Sequence, residues 1–187
     1  MVAWGYRVGQ WTPAQMANLA RAAGYEWIAL ELDDFTNVDF WAEHVWECES
    51  HGLIPGCWFT EGGNLYQTPH DAKFAIAELE GPGDYEGIVN VINGVGAGPL
   101  PTCSLAVCTN FNYQGSSQPL IDAGMACLTE AYLGDNANAT PDALDHQARS
   151  RGWPTSQPVF GVWNAPPSAY AQWADWPGVD YLLENVL

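Results

Sequence analysis

Ala126-Cys127-Leu128-Thr129-Glu130-Ala131-Tyr132-Leu133-Gly134-Asp135-Asn136 is a short apolar run that ends in a carboxylate, an aromatic ring and a Gly-Asp-Asn turn, and Thr140-Pro141 then opens a helical pattern. Such a run reads as a strand that carries a Glu to its own C-terminal end. The same order recurs along the chain: an apolar run, polar or acidic residues, a helix start, Gly, and the next apolar run. This is the form of a βα unit, and repeated units close into a barrel whose reactive groups collect at one mouth.

Working outward from that stretch, the first strand is Trp4 to Gly9. Thr12-Pro13-Ala14-Gln15 then starts a helix with Thr as cap, Pro at the first helical position and Gln placed to close a capping box. Gly24 stops this helix. The second strand, Trp27 to Asp34, alternates so that Ile28, Leu30 and Leu32 share one face and Ala29, Glu31 and Asp33 the other, which turns the carboxylates away from the helix layer. Asn37 caps a helix from Val38 to His51, with Phe40, Trp41, Val45 and Cys48 available for its buried stripe. The third strand, Ile54 to Thr60, ends in Glu61-Gly62-Gly63-Asn64. Thr68-Pro69 predicts a third helix that buries Phe74, Ala75, Ile76 and Leu79 and stops at Gly81. Gly87 to Asn93 reads as the fourth strand, and the Gly- and Pro-rich connection Gly94 to Pro101 is too short for a regular helix. One helix of the ring is expected to be missing there.

Cys103 to Cys108 is the fifth strand, followed by a short helix from Ser117 to Ala123, and the opening stretch is the sixth. A helix from Thr140-Pro141 to Gly152, a seventh strand from Pro158 to Trp163, a helical pattern from Pro167 to Trp176 and an eighth strand from Val179 to Glu184 complete the chain. The expected fold is α/β: a compact TIM-like (β/α)8 barrel with missing or shortened helices, formed by residues 1–187 as a single domain. An open doubly wound sheet shares the alternation. The barrel is preferred because each strand feeds a crossover to the next and no G-x-G-x-x-G turn or P-loop is present.

The balance of Lys+Arg 5 against Asp+Glu 22, a net charge of -17, repels phosphate backbones and anionic headgroups, so neither nucleic acid nor membrane is an expected partner. The 10 Trp, 8 Tyr and 6 Phe supply the buriable area that a disordered acidic chain lacks. No apolar run approaches the length of a membrane span, and Met1-Val2-Ala3-Trp4-Gly5 does not read as a signal peptide. Synthesis in a cytoplasm is expected. The cysteines Cys48, Cys57, Cys103, Cys108 and Cys127 are odd in number and lack C-x-x-C spacing, so free buried thiols are expected. The histidines form no ligand pattern, and neither a metal nor a cofactor is expected.

In a barrel of this kind the reacting groups come from the C-terminal ends of the strands. Those ends carry Arg7, Glu31 with Asp33, Glu61, Asn93, Asn110, Glu130, Asn164 and Glu184. Asn is a common turn residue, whereas Glu is a poor one, so the glutamates are the informative part of this set. A pair of carboxylates in a cleft bordered by aromatic rings is what cleavage of a glycosidic bond requires, one acid to protonate the leaving oxygen and one carboxylate to attack or to activate water. The candidate catalytic residues are therefore Glu130 as acid, Glu61 or Glu184 as nucleophile or base, and Asp33 and Glu31 beside them. Trp4, Trp58, Tyr66, Tyr132 and Trp163 are candidates for stacking on sugar rings, and Arg7, Asn93, Asn110 and Asn164 for hydrogen bonds to sugar hydroxyls.

The run Thr129 to Asn136 with Thr140-Pro141, then Pro158-Val159-Phe160-Gly161-Val162-Trp163, then Tyr181-Leu182-Leu183-Glu184-Asn185, resembles a group of small glycoside-hydrolase-like barrel proteins of tailed phages, described as tail-associated or minor tail proteins. The likeness covers the C-terminal third of the chain. The second strand's Glu31-Leu32-Asp33-Asp34 does not complete the D-x-x-D-x-D-x-E pattern of chitinase-like barrels. The resemblance implies a virion component near the host surface, with carbohydrate and other virion proteins as its partners. Two functions follow as expectations: recognition of host-surface or cell-wall carbohydrate at the barrel rim, or hydrolysis of a glycosidic bond there.

Overall fold

The strands Val2–Tyr6 (β1), Trp27–Glu31 (β2), Ile54–Phe59 (β3), Phe74–Leu79 (β4), Ser104–Asn110 (β5), Ala126–Ala131 (β6), Val159–Trp163 (β7) and Val179–Glu184 (β8) pair in chain order, all parallel, and the first closes on the last. The computed structural model of the chain describes residues 2–6, 11–32, 38–79, 81–95, 98–110, 116–131, 141–156, 159–163 and 179–184. The expected α/β barrel is thus the observed fold, and the open sheet is not. The helices Pro13–Ala23 (α1), Val38–Ser50 (α2), Pro82–Ile92 (α3), Gln118–Asp122 (α4) and Pro141–Ser150 (α5) supply the outer layer. The helical pattern expected over 167–176 lies outside the described residues.

The paired residues fix the geometry of closure. From Val2 the pairs run to Leu182, Val162, Glu130 and Asn110, and the β1–β2 register shifts between Ala3 and Tyr6; with the offset of the Val2–Trp27 and Ala3–Ile28 pairs the circuit of registers closes with a displacement of eight residues. A shear of eight over eight strands is the TIM-barrel value, with strands tilted about 36° and the interior filled by layers of four side chains from alternate strands.

The two faces of the wall are packed separately. Ile28, Leu30, Leu32, Cys57, Phe59, Ala75, Ala77 and Val107 join Met16, Ala20, Trp41, Cys48, Ile88 and Ala148 of the helices in one outer core. Ala29, Trp58, Phe74, Ile76, Cys108 and Leu128 form the second, inner one. Within it the Trp27 and Phe74 rings meet edge to face at 5.2 Å. The Phe74 ring occupies the space that a Cβ on Gly56, its register partner, would need. Large and small residues therefore alternate across β3 and β4, which lets a narrow barrel close over an aromatic floor.

The helices begin and end as the sequence dictates. The Gln15 amide donates to Thr12 Oγ1 at 3.2 Å and the Thr12 amide to Gln15 Oε1 at 2.9 Å, a closed capping box. Gly24 takes the left-handed conformation at φ 84, and its N–H reaches the Ala20 and Arg21 carbonyls. Gly52, Gly94, Gly124 and Gly152 repeat the device after the other four helices. In α2 the buried stripe is Trp41, His44 and Cys48, with Trp41 Nε1 donating to Asp71 Oδ1 at 2.8 Å.

One pair of elements differs from the sequence reading. The predicted helix after Thr68-Pro69 is the strand β4, and the predicted fourth strand is the helix α3. Every residue of Phe74–Leu79 is buried, and burial on both faces produces a continuous apolar run without alternation. In α3 the residues Ile88 and Val91 are buried and Tyr85 and Ile92 pack beside them, a helical stripe that its β-branched residues obscure. The shortened connection is thus the one before β4. A single 3-10 helix, Gly62–Gln67, crosses there instead of an α-helix. It lies close against α3, so that a Cβ on Gly87 would stand 2.8 Å from the Gly63 Cα.

Replacing Gly56 tests this packing. Gly56→Ala drives a methyl group into Phe74 and is expected to lower stability in urea unfolding by about 1–3 kcal/mol, the usual cost of overpacking. Combining it with Phe74→Leu should restore part of the loss.

Candidate functional site

The C-terminal ends of the even-numbered strands carry a repeated residue. Glu31 pairs with Trp58 and Trp58 with Ile76, and two positions beyond Ile76 is Glu78. Glu78 pairs with Cys108 and Cys108 with Leu128, and two positions beyond Leu128 is Glu130. Glu130 pairs with Val162 and Val162 with Leu182, and two positions beyond Leu182 is Glu184. Each step of two strands comes with an offset of two residues, which is the offset a shear of eight imposes between residues at one height. Glu31, Glu78, Glu130 and Glu184 thus occupy one level of the barrel wall, above the level of Ala29, Ile76, Leu128 and Leu182.

Strand spacing of about 4.8 Å and a rise of about 3.3 Å per residue put successive members of this level roughly 10 Å apart at Cα. Glu31 continues the face of Ala29, and Glu78 that of Phe74 and Ile76, all in the inner core. Glu78 is 7% exposed, the most buried carboxylate among the described residues. Glu31 is half-buried with its Oε2 inside. Glycosidases hold their two working carboxyl groups about 5–9.5 Å apart.

The other candidates are distributed as follows. Asn110 is the last residue of β5 and the register partner of Glu130, and Trp4 of β1 is the partner of Glu184. Trp163 ends β7 opposite Ala131 and Leu183. Glu61 sits beyond β3 as the cap residue of the 3-10 helix; it is exposed and accepts a hydrogen bond from Asn64 Nδ2 at 3.4 Å. It lies outside the wall level that holds the other glutamates. Trp58 is 4% exposed within the inner core, so its ring packs the barrel and is not presented at the rim. Tyr66 lies in the 3-10 helix beside Gly98 of the α3–β5 connection, on the outer layer. Asn93 caps the C-terminus of α3 and therefore stands at the N-terminal end of the strands, opposite the mouth. Arg7, Asp33, Tyr132 and Asn164 lie outside the described residues.

Glu78 is absent from the sequence-based candidates because the pattern after Thr68-Pro69 predicts a helix over the segment that forms β4. Its signal was present: Phe74-Ala75-Ile76-Ala77-Glu78-Leu79 is an apolar run ending in a carboxylate, the grammar of Met125 to Glu130. Among the described basic residues, Arg151 donates to Thr109 Oγ1 at 2.6 Å, next to the last residue of β5, and three others stand at the opposite end of the wall. Arg21 is in the last turn of α1, Lys73 immediately precedes β4, and Arg149 in the last turn of α5 pairs with Asp145 at 3.0 Å.

His44 and Cys48 meet inside α2. Cys48 Sγ lies 3.7 Å from His44 Nδ1, but burial pushes the thiol up to about 12, with Glu47 and Glu49 adding to it, and pulls the imidazole down to about 4. Both groups are held neutral, the opposite of an activated thiolate. Burial likewise raises the Cys57 and Cys103 thiols. The five cysteines are free, and Cys48, Cys57, Cys108 and Cys127 are buried while Cys103, against expectation, is only half-buried. Among the described residues no group of three His, Cys, Asp or Glu side chains is arranged to hold a metal ion, and no helix is long and apolar enough to cross a membrane.

Among solved structures the chain is similar to a cube-shaped, highly porous protein cage designed by fusing symmetric oligomeric domains, with TM-score 0.56 and 14% identity over 98% of this chain and 62% of that one. It is similar to a variant of the citrate synthase SbnG, with TM-score 0.53 and 13% identity over 98% of this chain and 85% of that one. A glycoside hydrolase family 5 protein from Bacteroides vulgatus gives TM-score 0.52 and 11% identity over 98% of this chain and 57% of that one. The chain spans less than two thirds of the length of the cage protein and of the hydrolase. At these identities the likeness is one of fold. No family model matches the chain, and no curated protein matches it.

The His44–Cys48 pair sets a window of stability. His44 is depressed in the folded state, so unfolding takes up a proton below its ordinary 6.5, and stability is lost as pH falls from there towards 4. Cys48 is raised, so the unfolded thiol ionises first and stability is lost as pH climbs above its ordinary 9.0. Urea titrations of the parent and His44→Gln across pH 4–7 are expected to show a shallower acid decline in the variant. Parallel curves would disprove the assignment.

Proposed function

We propose that the protein is a tail-associated phage barrel that recognises host-surface or cell-wall carbohydrate at the C-terminal rim. The observation that carries this reading is the level of Glu31, Glu78, Glu130 and Glu184 at one end of the wall, with Asn110 beside Glu130 and Trp4 beside Glu184. Carboxylates and amides fix sugar hydroxyls through hydrogen bonds, and they gather where barrels of this fold bind their ligands. The virion assignment rests on the resemblance of Thr129 to Asn136, Pro158 to Trp163 and Tyr181 to Asn185 to phage tail barrels. In the sequence, Arg7, Asp33, Tyr132 and Asn164 follow the segments of β1, β2, β6 and β7.

Hydrolysis of a glycosidic bond is the second reading, favoured by the depth of Glu78 and its spacing from Glu31. In that reaction one carboxylic acid protonates the leaving oxygen while a second carboxylate attacks the anomeric carbon or takes a proton from water. Glu130 and Glu184 lie at the same height and are the further candidates for these roles, with Glu130 as the acid. Glu61, outside this level, fits the nucleophile role less well.

A glycan array read with the parent protein and Glu78→Gln separates the two. The binding reading expects a defined set of neutral or cell-wall glycans above background and a modest weakening in the variant. The hydrolase reading expects chain shortening of the bound glycan by mass spectrometry and a loss of about 100-fold or more in rate with Glu78→Gln, folding being checked by circular dichroism. An array with no hit above background, together with no association with virions, would rule out the proposal.

A further inference from the structure

The outer face of α2 carries an indole in water. Trp46 is 64% exposed and Val38 72% exposed, although the opposite side of the same helix buries Trp41, His44 and Cys48 in the core. Asp39, Ala42, Glu43, Trp46 and Glu49 are all exposed and recur at intervals of three and four residues, so they form one stripe along the helix. The stripe has carboxylates one turn before and one turn after the indole. No Lys or Arg occurs anywhere in Val38–Ser50. A helix of this length presents the stripe over about 20 Å.

An exposed Trp is expensive in solvation terms, and Trp is among the residues that dominate interfaces. The charge around this one determines what can meet it. A second copy of the chain brings a net charge of -17 against the same acidic face, and nucleic acid and anionic lipid are repelled in the same way. A guanidinium group satisfies both parts of the stripe together, because it stacks flat on an indole and donates to carboxylates from its edges. We propose that the outer face of α2, with Trp46 at its centre and Asp39, Glu43 and Glu49 around it, is a docking surface for a protein that presents arginine side chains. This surface lies on the outer helix layer and is separate from the glutamate level inside the barrel.

The test uses the full chain with fluorine-labelled tryptophan, the Trp46 resonance being assigned by its disappearance in Trp46→Phe. An arginine-rich dodecapeptide is titrated in, with a lysine-rich peptide of equal charge and a neutral cello-oligosaccharide in parallel. The arginine peptide is expected to shift the Trp46 resonance selectively and to bind more tightly than the lysine peptide. Trp46→Ala is expected to weaken it roughly three- to fivefold, as loss of one cation–π contact would. Glu43→Gln with Glu49→Gln is expected to weaken it further and to flatten its salt dependence, while Glu86→Gln on the exposed part of α3 leaves it unchanged. Equal binding of both peptides with no effect of Trp46→Ala would overturn the proposal, as would a Trp46 shift with the oligosaccharide alone or concentration-dependent self-association by sedimentation.

Discussion

Closing eight parallel strands with a net register shift of eight residues decides which residues share a height before any side chain is considered. One residue of offset per strand means that alternate strands meet at the same level only when their sequences are displaced by two. The chain meets that condition four times with glutamate, and immediately beneath it with Ala29, Ile76, Leu128 and Leu182. The apolar level and the acidic level are thus consequences of the same register. The aromatic floor below them depends on it too, since Phe74 fits only because its register partner is Gly56.

Much of this organisation was legible in the sequence. The Thr12-Pro13-x-Gln15 box, the glycines that close each helix and the alternation of Trp27 to Glu31 each have a local cause, and local causes survive folding. The β4–α3 exchange had no such cause. Phe74–Leu79 is buried on both faces and so has no period to read, while Gly87 to Ile92 is rich in β-branched residues yet packs as a helix through Ile88 and Val91. The Gly81-Pro82-Gly83-Asp84 start, with the Gly81 amide donating to Asp84 at 3.0 Å, was the available clue. That exchange concealed Glu78 and brought Asn93 into the site. Trp58 illustrates a different limit of sequence: a strand-end position does not reveal whether a ring faces the rim or, as here, fills the barrel.

The charge distribution fits the same frame. Carboxylates inside a wall are costly unless water, a proton or a hydrogen-bonding ligand meets them, so their place at the strand ends is where that cost is smallest. Arg21, Lys73 and Arg149 stand at the other end, and α2 bears its own acidic stripe on the outside. Acidity in this chain is therefore structured, with one part internal to the barrel mouth and another on a helix surface.

The central claim is that Glu78, and not Glu61, belongs with Glu31, Glu130 and Glu184 at one level of the wall. A crystal structure that resolves carboxylate oxygens measures it directly. The account predicts four carboxyl groups converging on the barrel axis at one height, neighbours within about 10 Å of one another, and Glu61 outside them. Glu78 turned into the helix layer, or the four glutamates dispersed over different heights, would contradict it.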